Sequence, residues 1–204
     1  KPTVADVSQT IAPATATTIN ITGTGFVAIP IVDFINASNG AITRANTVSL
    51  TSATQLSVNL TLASGNYFVR IENPDGNSAR STNNIITAST APSFSTSAGS
   101  LGTVAAGSSV SLSVSASSDS NVTIAETTSV LTSNANTPAA TMNLTLSGSP
   151  ATSATYNITG TAPTPTGGQT YNFTLSATDA EGQVVTRDFS ITVSVAINNS
   201  GGFN

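Results

Sequence analysis

Apolar and polar residues alternate in short runs along the whole chain. Thr18-Ile19-Asn20-Ile21-Thr22, Leu56-Ser57-Val58-Asn59-Leu60-Thr61-Leu62, Val110-Ser111-Leu112-Ser113-Val114-Ser115 and Phe189-Ser190-Ile191-Thr192-Val193-Ser194-Val195 each carry their apolar set on every second residue. Successive side chains of an extended strand point to opposite faces. Each run therefore predicts a strand with one face in a core and a Ser/Thr/Asn face in water. No long stretch keeps a 3.6-residue apolar period, and Glu, Lys, Leu and Gln are scarce, so helices are not expected.

Turn chemistry separates the runs. Asn39-Gly40 and Pro74-Asp75-Gly76 are tight-turn sequences, because Gly accepts positive φ without steric cost. Gly65-Asn66, Gly167-Gly168 and Glu181-Gly182 mark further turns. Short strands punctuated this way over roughly 100 residues describe a β-sandwich. The segment Thr87-Ala88-Ser89-Thr90-Ala91-Pro92 is small, polar and closed by Pro, as a linker would be. The expected fold class is all-β, as tandem immunoglobulin-like antiparallel sandwiches. The expected domains are 1–88 and 92–195, with 196–204 as a tail or the start of a further linker. The chain opens on Lys1-Pro2-Thr3 rather than Met, which suggests a fragment or a processed product.

Composition narrows the function. Hydrophobic residues make up 38% of the 204, enough for folded cores, while charged residues make up only 7%, against about 25% in an average domain. Net charge is −4. The five cations, Lys1, Arg44, Arg70, Arg80 and Arg187, are scattered in the sequence. Binding to a phosphate backbone or an anionic membrane needs clustered Lys and Arg, so neither nucleic acid nor membrane is an expected partner. No run of about 20 apolar residues predicts a membrane-spanning helix. Cys and His are absent. That removes disulfides, the usual zinc, copper and iron ligands, and the Ser-His-Asp and Cys-His catalytic sets. The chain is expected to be non-enzymatic and to need no cofactor.

Two stretches resemble known modules. Residues 1–88 are similar to the IPT/TIG family of immunoglobulin-like domains. The resemblance is carried by Val7, Ile11 and Pro13, by Ile19-Asn20-Ile21-Thr22-Gly23-Thr24-Gly25-Phe26, by Val32-Asp33-Phe34, Leu56 and Leu60, and by Gly65-Asn66-Tyr67-Phe68-Val69-Arg70-Ile71-Glu72-Asn73-Pro74-Asp75-Gly76. Read physically, Gly23 and Gly25 let the chain turn out of a strand and Phe26 drops into the core. Tyr67, Val69 and Ile71 form one face of a strand, with Arg70 and Glu72 on the other. Residues 92–195 resemble cadherin-like, immunoglobulin-like modules of bacterial and phage surface proteins. Here the matching residues are Gly107, Ile158-Thr159-Gly160-Thr161, the stretch from Tyr171 to Gly182 with its Ala-Thr-Asp-x-x-Gly hairpin, and Phe189-Ser190-Ile191-Thr192-Val193. The resemblance implies tandem modules on a surface or a virion and brings no catalytic residues.

Acidic groups are the one source of candidate chemistry. Asp179 and Glu181 share a turn, with Asp188 on the returning strand. This trio is the Ca²⁺ candidate, set against a plain solvated hairpin tip, because Ca²⁺ takes 6–8 oxygens. No metal site is expected beyond it. Asp75 reads as turn chemistry. A glycosidase would need two positioned carboxyls in a cleft, and no carboxylate pair is framed by sugar-stacking aromatics. Asn-x-Ser/Thr triplets recur, including those that begin at Asn20, Asn59, Asn143 and Asn172. They fit glycan acceptors, and equally a Thr/Asn-rich strand pattern that generates the triplet on its own.

The expected role is a structural or adhesive protein of a phage virion: a capsid decoration, a fibre or a tail-associated component. The alternative is a bacterial cell-surface adhesin or an accessory module of a secreted polysaccharide-degrading enzyme. A sugar-binding module in its own right is a third reading. It would need aromatic platforms, and Tyr67, Tyr156 and Tyr171 fall in core-facing patterns. Expected partners are proteins of an assembly, including further copies of the chain, and a surface glycan. The expected location is a virion or the extracellular cell surface.

Overall fold

The computed structural model describes residues 1–132 and 141–195; the predicted tail at 196–204 lies outside them. The chain divides into two compact units, Lys1–Thr90 and Ala91–Asn204. Among the described residues every regular element is a strand. Among the described residues no helix is long and apolar enough to cross a membrane.

The first unit packs two sheets face to face. One has the order β1 (Thr3–Val4), β3 (Thr17–Thr24), β7 (Gln55–Leu60), β6 (Thr47–Ser52). The other runs β2 (Gln9–Ile11), β10 (Ile86–Ala88), β8 (Gly65–Glu72), β4 (Ile31–Asn36), β5 (Ile42–Arg44), with β9 (Ser78–Arg80) also on β8. In immunoglobulin terms these are an A-B-E-D sheet and a sheet built around strands C, F and G, with β2 running parallel to the last strand. Alternation sorts the faces as the sequence pattern requires. Ile19 and Ile21 on β3, Leu56, Val58 and Leu60 on β7, and Tyr67, Val69 and Ile71 on β8 all turn inward onto Phe26 and Phe34. The last strand is split, and buried Ser81 fills the break. Its hydroxyl accepts the Val69 N–H at 3.0 Å and donates to the Asn83 carbonyl at 2.7 Å. The segment expected to be a linker from Thr87 onward starts later, because Thr87 and Ala88 still pair within β10.

Gly23 and Gly25, at the end of β3, do different jobs. Gly25 has φ of 68° and makes the turn. Gly23 stays within the strand, where a Cβ would lie 2.0 Å from the Thr3 carbonyl oxygen and 2.6 Å from the Phe26 ring. It is a close-approach glycine rather than a turning one.

The second unit is organised by one long strand. β13 (Ser109–Glu126) pairs with β15 (Ala151–Thr161) along its first half and with β16 (Gln169–Thr178) along its last four residues, with an irregularity between Ser117 and Val122. That bend carries the strand from one sheet into the other, a known way of making a sandwich corner. β14 (Thr145–Gly148) and β11 (Ser93–Phe94) complete the first sheet. β17 (Val184–Ser194) and β12 (Gly99–Ala105) complete the second, with β12 parallel to β17. Phe173, Phe189 and Phe94 form the aromatic centre of the core; the Phe94 and Phe189 rings meet edge to face at 5.6 Å. Arg187 pins the short β11 by donating to the carbonyls of Phe94 (3.0 Å) and Thr96 (2.7 Å).

Candidate functional site

The acidic turn joins β16 to β17. Asp179 is buried in it: its carboxylate accepts the Gln183 N–H at 2.7 Å, and its backbone exchanges bonds with Gln183 and Gly182 at 3.1 Å each. Gly182 supplies the positive φ of 87° the turn needs. The bend of β13 reaches this turn from the side. Ser120 donates to the Glu181 carboxylate and accepts the Ala180 N–H at 3.2 Å. The same bend delivers Asp119, so carboxylate oxygens of Asp119, Asp179 and Glu181 lie within 4.8 Å of one another.

Of the three residues grouped from sequence, Asp179 and Glu181 come together and Asp188 does not. Asp188 sits opposite Thr174 on β17, where it accepts the Thr174 hydroxyl at 2.7 Å. It is four strand residues beyond Val184, about 13 Å along the chain at ~3.3 Å per residue. Asp119 takes its place in the cluster. Asp75 is turn chemistry: it accepts the Asn77 amide and backbone N–H at 2.9 and 3.0 Å, and these bonds lower its pKa.

A second constellation lies on the outer face of the first unit. Strand register sets Arg44 opposite Asp33, Asp33 opposite Arg70, and Arg70 opposite Arg80, making one row across β5, β4, β8 and β9. Asp33 is 3% exposed and binds Arg44 Nε at 3.0 Å and Arg70 Nη1 at 3.1 Å. Arg70 also pairs with Glu72. Beside this row runs an apolar one: Phe68, Ile35 and Ile42 are in register. Ile42 is 64% exposed, and the Arg80 guanidinium stacks 4.5 Å over the Phe68 ring. Three of the five cations, scattered in the sequence, thus meet on one surface.

One face of the second unit carries no charge in its rows. On the β13–β15–β14 sheet the outward rows read Ser111–Thr159–Thr145, Ser113–Asn157–Ser147 and Ser115–Thr155. Tyr67, Tyr156 and Tyr171 are buried, so none offers its ring as a sugar platform. Of the triplet asparagines, Asn59 is held within its sheet by Thr18 and Asn46, while Asn20, Asn143 and Asn172 are exposed.

No protein-family model matches the chain, and no curated protein matches it. Solved structures do. The chain is similar to titin domains Z1Z2 in complex with telethonin (16% identity, 96% of this chain, 98% of that one, TM-score 0.37). It is also similar to DIP-gamma IG1+IG2 (14% identity, 95% and 97%, TM-score 0.34). The BIgI domain of the S. agalactiae beta protein, bound to CEACAM1, matches at 24% identity over 52% of this chain and 99% of that one, with a TM-score of 0.38. The immunoglobulin-like assignment rests on the strand order and register given above.

Proposed function

We propose that the chain is a non-enzymatic structural and adhesive protein, working as a component of a phage virion through its tandem modules. In this reading the first unit is an IPT/TIG-type module and the second a cadherin-like one. The observation that carries it is the surface chemistry. The β13–β15–β14 face of the second unit presents rows of Ser, Thr and Asn with no charged residue in them, and no Cys or His is available to build a catalytic set. Such faces have no field to repel a close neighbour, and their edge strands lack the Lys residues that often guard against pairing. Both traits suit a spacer or docking module packed into an assembly, whose contacts sit in loops and strand edges.

The test is to fractionate the native source on a density gradient and locate the chain by peptide mass spectrometry. Co-migration with intact virus particles is the expected outcome. Recovery with cell envelopes or free secreted protein would replace the virion reading with that of a bacterial adhesin or enzyme-accessory module.

A further inference from the structure

The charge of the chain is divided unevenly between its units. The first carries Lys1, Arg44, Arg70 and Arg80 against Asp6, Asp33, Glu72 and Asp75, four of each sign. The second carries Arg187 alone against Asp119, Glu126, Asp179, Glu181 and Asp188. The whole net charge of −4 therefore belongs to the second unit, while the first concentrates three arginines on one sheet face.

We propose that the outer face of the β5–β4–β8–β9 sheet is a docking surface for the acidic second unit of another copy of the chain. This rests on the reading above that the chain works by packing into an assembly. The face is built for a carboxylate-bearing protein surface. Arg44 has a side chain 66% exposed and spends only its Nε on Asp33. Its two terminal nitrogens offer the planar, forked donor geometry that matches a carboxylate. Arg80 is held by stacking on Phe68, so less side-chain freedom is lost when it finds a partner. The adjoining Phe68, Ile35 and Ile42 supply apolar area whose burial would exclude water from the ion pairs.

A polyanion fits less well. Asp33 and Glu72 lie on the same face and reduce three positive charges to a net +1, whereas nucleic acids and similar polymers demand dense, uninterrupted cations. The contact joins two different surfaces. It is heterologous, and repeating it gives a string or a ring, the smallest ring being a reciprocal pair.

The experiment is sedimentation velocity of the full chain over a range of protein concentrations, at about 20 mM and about 500 mM salt, since screening shortens the reach of charge from tens of ångströms to a few. Wild type is compared with R44E/R80E and with R44K/R80K. Both arginines are exposed, but Arg44 is one of the two ion-pair partners of buried Asp33, so circular dichroism checks the fold and R80E alone, outside that pair, carries the test if the double variant does not fold. The expected result is concentration-dependent association at low salt. It should weaken at least about tenfold in R44E/R80E and at high salt, and by less in R44K/R80K, which keeps charge but loses the fork.

A monomer under all conditions overturns the proposal. So does association indifferent to R44E/R80E. Binding of a sulfated polysaccharide that depends on these arginines, without self-association, would reassign the face to polyanions. The two readings fail separately: a chain that associates but never travels with particles loses the virion role and keeps this surface, and the reverse result does the opposite.

Discussion

Asp33 and Arg70 meet at 3.1 Å across β4 and β8, with the Asp33 side chain 3% exposed and that of Arg70 35% exposed. The pair is asymmetric, and so is the expected cost of breaking it. R70A leaves a buried carboxylate with Arg44 as its remaining ion-pair partner and also strips Glu72 of its own. A buried charge that loses one of its two partners is the expensive case, here about 2–3 kcal/mol because Arg44 remains and Arg70 is partly wet. D33A instead frees two arginines that can bend into solvent, at about 1 kcal/mol. Hydrogen exchange of the β4 and β8 amides reads both, and equal costs would contradict the burial argument.

Glu126 closes the loop that follows β13. Its carboxylate accepts the N–H groups of Val130, Leu131 and Thr132 at 2.6–2.9 Å, and the Thr128 and Thr132 hydroxyls as well. Partial burial pushes its pKa up, but these bonds to the charged form outweigh it and hold the group below its ordinary value. The folded pKa is depressed relative to the unfolded one. Stability is therefore fully present above the unfolded carboxylate range and falls as pH drops through the folded pKa. Thermal melts from pH 7 to pH 3 should show this loss, and E126Q should flatten it while lowering stability at neutral pH by about 1–2 kcal/mol. An unchanged pH profile in E126Q would remove Glu126 from the account.

Gly23 is required for space. G23A puts a methyl group against the Thr3 carbonyl and the Phe26 ring, so either β1 leaves β3 or Phe26 is displaced. Overpacking of this kind costs about 1–3 kcal/mol. G76A is a useful contrast, because its site is open and its penalty comes from a φ of 80° alone. Amides of β1 should lose exchange protection in G23A and keep it in G76A.

The turn at Asp179 is held by its own hydrogen bonds. D179A removes the acceptor of the Gln183 N–H and should destabilise the β16–β17 hairpin by about 1–2 kcal/mol. The loss should be the same in calcium chloride and in chelator. A wild-type melting temperature that rises with Ca²⁺ and a D179A one that does not would instead make the carboxylate cluster a metal site.

Much of the fold was legible because it is written locally. The runs at 56–62, 110–115 and 189–195 state which residues face the core, and Asn39-Gly40 and Pro74-Asp75-Gly76 state where the chain turns. What was not legible depends on register between distant strands. Asp188 was grouped with Asp179 and Glu181 because it is near in sequence, yet a strand carries it away at full extension. Asp119 was missed because a bend in β13, sixty residues earlier, delivers it. The arginine row had one local trace, charged residues alternating with apolar ones around Arg70. Its alignment with Arg44 and Arg80 exists only once four strands are in register.

The parallel pairing of an early strand with the last strand, present in both units, also decides how each bears a load. Tension on the two ends of a unit drags such strands past each other, so their hydrogen bonds are strained together in shear instead of parting one at a time. The first unit has three register pairs in this clamp, from Gln9–Ile86 to Ile11–Ala88, and the second has six, from Gly99–Phe189 to Ala105–Ser194. By this measure a pulled chain yields at its first unit while the second still holds.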